Sequence, residues 1–218
     1  DIASCEAQPD KAYQVNTVGA RNLAVQAQAI GAKLIHLSTD DVFSHHARQP
    51  YNEFEIPTPS TIYGKSKLAG ERFVQNLCTR HVIVRSSWVY GIGRDFVNTI
   101  LEAANNPSVT SMEVAENEFA SPTSATELAK VIEQLIDNDC LGIYHAVCGG
   151  FCSRFEFAQA ILKAIHAEDQ LTLKPTSNSE DTNYSVLDNM MLRLEDFAQP
   201  VSWQQALKDY ITTTGGNN

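Results

Sequence analysis

Tyr63 and Lys67 are the residues of this sequence whose types and spacing most readily support chemistry. Four positions apart, they share one face of a helix. A phenol with a pKa of about 10 is a poor acid–base group at neutral pH, but a neighbouring ammonium favours the phenolate and can depress that value by about 1–3 units. A tyrosine so placed could exchange a proton with a bound oxygen. Two further runs, Ser38-Thr39-Asp40-Asp41 and Ser86-Ser87-Trp88, follow apolar segments and are unusually polar or aromatic for such positions. Thr39 could hold the same oxygen by a hydrogen bond, and Lys67 could also bind a cofactor hydroxyl. A Tyr-x-x-x-Lys pair alone arises readily by chance in a chain with 7 Tyr. Its weight here comes from the Ser-Thr run ahead of it and from Gly64 directly after Tyr63.

Elements of secondary structure must position these runs. Small or apolar residues at Ala12, Val15, Gly19, Leu23, Ala27 and Ile30 recur every three or four positions, which predicts one amphipathic helix over 9–30, closed by Gly31. Residues 33–38 read as a short apolar strand, so the Ser38–Asp41 run falls at its carboxyl end. The Pro-punctuated stretch 43–60 reads as a loop, of a length that is usually functional or mobile. Helical spacing resumes over 61–77, and 81–86 reads as a second strand. Further helices are expected at 95–104, 124–136, 153–166 and 202–213, strands near 111–115 and 142–147, and a frayed tail over 214–218. Helix alternating with β-branched strand, without hairpin signals, predicts the α/β class with a Rossmann-like parallel sheet. In such sheets ligands sit beyond the carboxyl ends of the strands.

Composition narrows the function classes. The 218 residues are 43% hydrophobic and 19% charged, with a net charge of −10 and a pI near 5.0. That is an ordinary globular composition, long enough to bury a core. The acidic balance argues against nucleic acid or an anionic membrane as partner, and no apolar run approaches the ~20 residues of a membrane span. The first residues lack the basic and apolar regions of a signal peptide. Five scattered cysteines read as reduced thiols in a cytoplasmic protein. Cys148 and Cys152, four apart across Gly149-Gly150, lack the second pair or the spaced histidines of a zinc site, so no metal is expected. His45-His46 reads as a solvated loop pair.

Taken together the motifs resemble the extended short-chain dehydrogenase/reductases, and within them the dTDP-4-dehydrorhamnose reductase family. The resemblance is carried by Asn16-x-x-Gly19-x-x-Asn22-Leu23, Ser38-Thr39-Asp40-x-Val42-Phe43, Pro50-Tyr51-x-Glu53 and Tyr63-Gly64-Lys65-Ser66-Lys67-Leu68-x-Gly70-Glu71. It continues through Arg85-Ser86-Ser87-Trp88-Val89-Tyr90-Gly91, Ser121-Pro122-Thr123-Ser124-Ala125, Gly142-Ile143-Tyr144-His145 and Ser185-Val186-Leu187-Asp188-Asn189. It implies hydride transfer from NADPH or NADH to the C4 ketone of a dTDP-4-dehydro-6-deoxy sugar, in dTDP-L-rhamnose synthesis. Tyr63 would protonate the developing alkoxide, Lys67 would tune Tyr63 and, with Ser38 and Tyr63, hold the cofactor, and Thr39 would orient the ketone. Thr39, Asp40, Asp41 and Trp88 would lie beside the sugar. Residues 1–107 would be the remainder of the dinucleotide-binding domain and 108–218 mainly a smaller substrate-binding lobe, with the chain crossing between them. A homodimer is compatible with this reading and not fixed by it.

Three departures from the family pattern stand out. Position 41 is Asp where the reductases typically carry Tyr, a drift toward the Thr-Asp-Glu of nucleotide-sugar dehydratases. Glu180-Asp181 stands where Arg-Pro usually precedes the Ser-Val-Leu-Asp motif, and an arginine would suit a sugar diphosphate. No Gly-x-Gly-x-x-Gly turn, the usual pyrophosphate cradle, occurs in the chain. By comparison with the family, two βαβ units of roughly 60 residues in all would precede Asp1, so the sequence is expected to be a fragment of the full enzyme. The alternatives are a dehydratase or epimerase, or a non-catalytic regulatory subunit resembling the β subunit of methionine adenosyltransferase.

Overall fold

Val82-Ile83-Val84 is continuously apolar because His81–Ser86 is a middle strand, buried on both faces. The computed structural model describes residues 2–177 and 182–215, so Glu180-Asp181 and the last three residues lie outside the described residues. In chain order the helices are α1 (Ile2–Ala7), α2 (Pro9–Tyr13), α3 (Ala20–Ala29), α4 (Ile62–Leu77), α5 (Phe96–Ala104), α6 (Ala125–Asp137), α7 (Arg154–Ala164), α8 (Met190–Leu194) and α9 (Trp203–Gly215). The strands are β1 (Leu34–Thr39), β2 (His81–Ser86), β3 (Val89–Tyr90), β4 (Ser111–Ala115), β5 (Glu118–Ala120), β6 (Thr123–Ser124), β7 (Gly142–His145), β8 (Cys152–Ser153), β9 (Thr172–Thr176) and β10 (Asn183–Tyr184). The parallel sheet β1-β2-β7 is the centre of the fold.

The alternation of β2 builds two layers. Val82 and Val84 pack with Leu128, Val131 and Leu135 of α6, while Ile83 packs with Ala20, Ala24 and Ala27 of α3 and Val74 of α4. All three β2 residues are fully buried, and each such side chain contributes about 1.5–3 kcal/mol relative to exposure. A second core gathers Ile100 of α5, Phe157 and Ile161 of α7, and Trp203 and Leu207 of α9, beside Val114 of β4. Helix α6 and strand β7, from beyond residue 107, complete the first sheet, whereas α5, from before it, packs in the second core.

The single helix expected over 9–30 is interrupted. A π-helical segment, Gln14–Gly19, joins α2 to α3, and the buried face consists of Ala12, Thr17, Ala20, Ala24 and Ala27. Val15, Leu23 and Ile30, assigned by spacing to the inner face, are exposed. Two physical reasons account for this. The wide turn shifts the phase of all that precedes it, and small alanines let α3 approach α4 more closely than leucines would. The same turn aims polar groups at α4, where Thr17 donates to the Ser66 carbonyl (2.7 Å) and the Asn16 amide to the Ser66 hydroxyl (3.0 Å). A Cβ at Gly70 would lie 2.4 Å from the Asn16 carbonyl oxygen, so only glycine permits this approach.

Helix α4 is fixed to β2 by a buried ion pair. Arg85 donates through Nε (3.0 Å) and one terminal nitrogen (2.7 Å) to the two carboxylate oxygens of Glu71. Both residues are essentially inaccessible, and the guanidinium lies 5.3 Å above the Phe43 ring. The loop 43–60 is tied down rather than loose. Tyr51 exchanges backbone hydrogen bonds with Val186 and Asp188, and Glu53 Oε1 accepts from the amides of His145 and Met191. Removing one member of a buried pair strands the other charge, so Glu71→Ala should lower the unfolding free energy by about 3–5 kcal/mol. Combining it with Arg85→Met should recover most of that loss. Urea titration of the single and double variants checks this, and a single variant within about 1 kcal/mol of the parent would show that the pair does not hold α4.

Candidate active site

Strands β1 and β2 pair in register, Ser38 with Arg85 and Thr39 with Ser86, so their two polar ends lie side by side. Thr39 then caps a 3-10 turn, Asp40–Val42, by accepting from the Asp41 amide at 3.2 Å. Its hydroxyl lies 3.1 Å from Asp40 Oδ1 and 3.2 Å from Asp41 Oδ2, and its single proton serves one carboxylate at a time. The other oxygen of Asp40 accepts from Ser87 Oγ at 2.8 Å. Asp41 Oδ1 lies 3.6 Å from His45 Nε2. His45 therefore belongs to this cluster, and the expectation of a solvated loop pair is corrected for it: its backbone, at φ +65°, turns the ring inward.

Tyr63 enters from the first turn of α4. Thr61 caps that helix by accepting from the Gly64 amide at 3.0 Å, and Glu6 of α1 accepts from the amides of Ile62 (2.7 Å) and Tyr63 (3.4 Å). A carboxylate there also meets the positive end of the helix dipole. Gly64 lets the helix touch the turn that carries the acids, since a Cβ would fall 2.0 Å from the Asp41 carbonyl oxygen. The Tyr63 side chain faces the Thr39 hydroxyl across the same cavity.

The phenol is not depressed as its spacing from Lys67 predicts. Burial, then the negative charge of Asp41, push Tyr63 up to about 12, against the opposing Thr39 hydrogen bond. The Lys67 ammonium is occupied elsewhere, donating to the Leu37 carbonyl at 2.6 Å, and burial lowers its pKa. Burial and the Asp40 charge likewise push Asp41 up to about 6.

Ser38, Thr39, Asp40, Asp41, Tyr63 and Trp88 all line one cavity of about 580 Å³, and Lys67 stands outside its lining. Sequence reasoning missed His45, Glu118, Phe119, Arg154, Asn183 and Ser185, which line it too. The clearest omission is Arg154. Its guanidinium carbon lies 3.5 Å over the Trp88 ring and 4.8 Å over Phe96, so one face of the indole is covered by a cation. A signal for it existed, since a basic residue directly after the helix cap Ser153 stands where a helix disfavours positive charge. A larger groove of about 1010 Å³, between α6 and α9, contains none of the residues expected to act.

The site also has groups suited to a hydroxyl-rich cofactor. Ser38 Oγ and His36 Nε2 are buried without a hydrogen-bond partner among the described residues, next to the Lys67 ammonium, whose remaining protons the Leu37 carbonyl does not use. Among the described residues no cluster of three or more His, Cys, Asp or Glu could hold a metal ion. Cys148 and Cys152 are buried in the second core, where burial pushes their thiols up to about 11 and about 12. No helix among the described residues is long and apolar enough to cross a membrane.

Comparison with known proteins places the chain in a family. The sequence model of the RmlD substrate binding domain matches residues 1–215. The spore coat polysaccharide biosynthesis protein SpsK of Bacillus subtilis is 36% identical over 215 residues, covering 96% of this chain and 75% of its own. The dTDP-4-dehydrorhamnose reductase of Escherichia coli is 30% identical over 235 residues, covering 98% of this chain and 77% of its own. Among solved structures, the dTDP-4-dehydrorhamnose reductase of Bacillus anthracis in complex with NADP superposes with a TM-score of 0.92 at 36% identity, over 98% of this chain and 77% of that one. A UDP-glucose 4-epimerase of Thermotoga maritima, at 17% identity and a TM-score of 0.82, shares the fold. The chain spans about three quarters of the length of these relatives. With its fold and nearly its whole length matched, the chain belongs to the RmlD substrate-binding-domain family, alongside the dTDP-4-dehydrorhamnose reductases.

Proposed function

We propose that this protein is a nucleotide-sugar reductase, using NADPH or NADH to reduce the C4 ketone of a dTDP-4-dehydro-6-deoxy sugar. The observation that carries the reading is the convergence of Thr39, Asp40, Asp41, Tyr63 and Trp88 on one cavity. NADP in the Bacillus anthracis relative favours NADPH. Residues 1–107 then serve mainly cofactor and catalysis, and 108–218 mainly the nucleotide sugar. Five free cysteines suit a reducing compartment such as the cytoplasm.

Ser38, Tyr63 and Lys67 would hold the cofactor's nicotinamide ribose, and the bound cofactor supplies the hydride. The remaining chemistry is a proton transfer. Thr39 and Tyr63, which line one cavity, would form a two-point cradle for a ketone oxygen, and orientation of this kind removes much of the entropic barrier. A phenol held at about 12 is fully protonated at neutral pH. It is therefore loaded as an acid, ready to donate its proton to an alkoxide, a far stronger base than its own phenolate. The raised value that contradicts the expected depression thus suits the reductive direction.

Two outcomes test the site. The full-length protein should oxidise NADPH in the presence of dTDP-4-dehydro-6-deoxy-L-mannose, and Tyr63→Phe in it should cut kcat by about 10²–10⁴-fold with an unchanged melting curve. Failure of the full-length parent to oxidise NADPH would end the reductase reading, and its conversion of dTDP-glucose without external reductant would assign a dehydratase instead. The second outcome concerns stability. Asp41 rises from 3.8 in the unfolded chain to about 6 in the fold, so the folded state binds its proton more tightly. That stabilisation is complete below about pH 4 and is lost as the pH rises through about 6. Asp41→Asn cannot ionise and should be more stable than the parent by about 2–3 kcal/mol above pH 6, but equal to it near pH 4. Urea denaturation at both pH values measures this, and the same offset at both would remove the buried charge as its cause.

A further inference from the structure

Arg154 is the first residue of α7. Its guanidinium carbon lies 3.5 Å over the Trp88 ring and 4.8 Å over the Phe96 ring, so the two rings seat the cation, whose N–H groups form a planar fork of donors. Neither a hydrogen bond nor an ion pair joins those groups to another described residue. The nearby carboxylates already have partners: Asp40 accepts from Ser87, Asp41 faces His45, and Thr39 gives its one proton to either. Glu118, Asp40 and Asp41 act on Arg154 through space, and although burial lowers its pKa to about 10 it remains charged at neutral pH. The result is a cation seated in the wall of the cavity that holds Tyr63 and Thr39.

A planar fork of donors matches two oxygens of one anionic group better than any single hydroxyl. We infer that Arg154 is a specificity-determining residue that grips an anionic oxygen pair of the substrate, on the diphosphate or on a carboxylate carried by the sugar ring. This rests on the nucleotide-sugar reading and adds to it the class of group that the pocket selects. It also changes the role of Trp88, which becomes the platform for the guanidinium on the face that Arg154 covers.

Calorimetric titration of the parent, Arg154→Gln and Arg154→Lys with thymidine, dTDP, dTDP-glucose and dTDP-glucuronate tests this. The Gln variant should bind the anion-bearing probe about tenfold or more weakly. The Lys variant, keeping the charge without the fork, should fall between Gln and the parent, which a loss of folding would not produce. A loss shared by dTDP and dTDP-glucose but absent with thymidine assigns the diphosphate. A loss confined to dTDP-glucuronate assigns the ring carboxylate. If the parent binds the dTDP probes and Arg154→Gln binds all of them within about twofold of it, the inference is overturned and the nucleotide-sugar reading stands. A parent that binds none of the dTDP probes overturns that reading, and this inference with it.

Discussion

Everything at the active site depends on how closely α4 is held against the sheet. The helix carries Tyr63 and Lys67, and three contacts set its position. The buried Glu71–Arg85 pair ties its middle to β2. Gly70 rests on the Asn16 carbonyl, and Gly64 rests on the carbonyl of Asp41. The last contact makes the catalytic geometry a packing consequence, since the backbone that presents Asp41 is the backbone α4 touches. Displacing the helix by the width of a methyl group would move Tyr63 away from Thr39 and Asp41, because the contact at Gly64 leaves no room for a Cβ.

Burial of the cluster decides its protonation. The cavity brings Asp40, Asp41 and Glu118 together with His45 and Arg154, and a confined site amplifies each charge relative to water. The acids keep the phenol protonated, while Lys67, held at the Leu37 carbonyl, does little to counter them. A net charge of −10 makes the pocket an unfavourable environment for an anion in general. Selectivity must then come from one placed cation and from helix N-termini rather than from the overall field. Arg154 meets that requirement because the Trp88 and Phe96 rings seat it in the cavity wall.

The long elements were legible from sequence because their signals are periodic or strongly apolar. Residues 33–38, 61–77, 81–86 and 111–115 correspond to β1, α4, β2 and β4, with Thr61 as cap rather than first helical residue. The two-residue strands β3, β6, β8 and β10 are too short to display a period and are defined by their partners, as β3 is by β6. The inner face of α3 was misread because apolar size is a poor guide where two helices touch through alanines. At the site, the residues legible in sequence were those in local runs, Ser38 to Asp41 and Tyr63 to Lys67. Glu118, Arg154, Asn183 and Ser185 reach the cavity from separate elements, so their proximity is a product of tertiary folding.

Local strain identifies the same place independently. Among the described residues, five other than glycine have positive φ: His45, Trp88, Asp139, His166 and Asp196. Asp139, His166 and Asp196 each follow the last residue of a helix cap, at Asn138, Ile165 and Glu195, where a left-handed residue ends the helix by closing its free carbonyls. His45 and Trp88 terminate no helix. A left-handed conformation is costly for a large aromatic side chain, by about 1–3 kcal/mol, so the surrounding structure must enforce it. Both line the candidate active site, one beside Asp41 and the other beneath Arg154. Arg154 itself breaks a helix-dipole preference at the start of α7. Exceptions of backbone and charge that have no structural use elsewhere thus converge on one cavity, as expected where local stability is given up for the placement of functional groups.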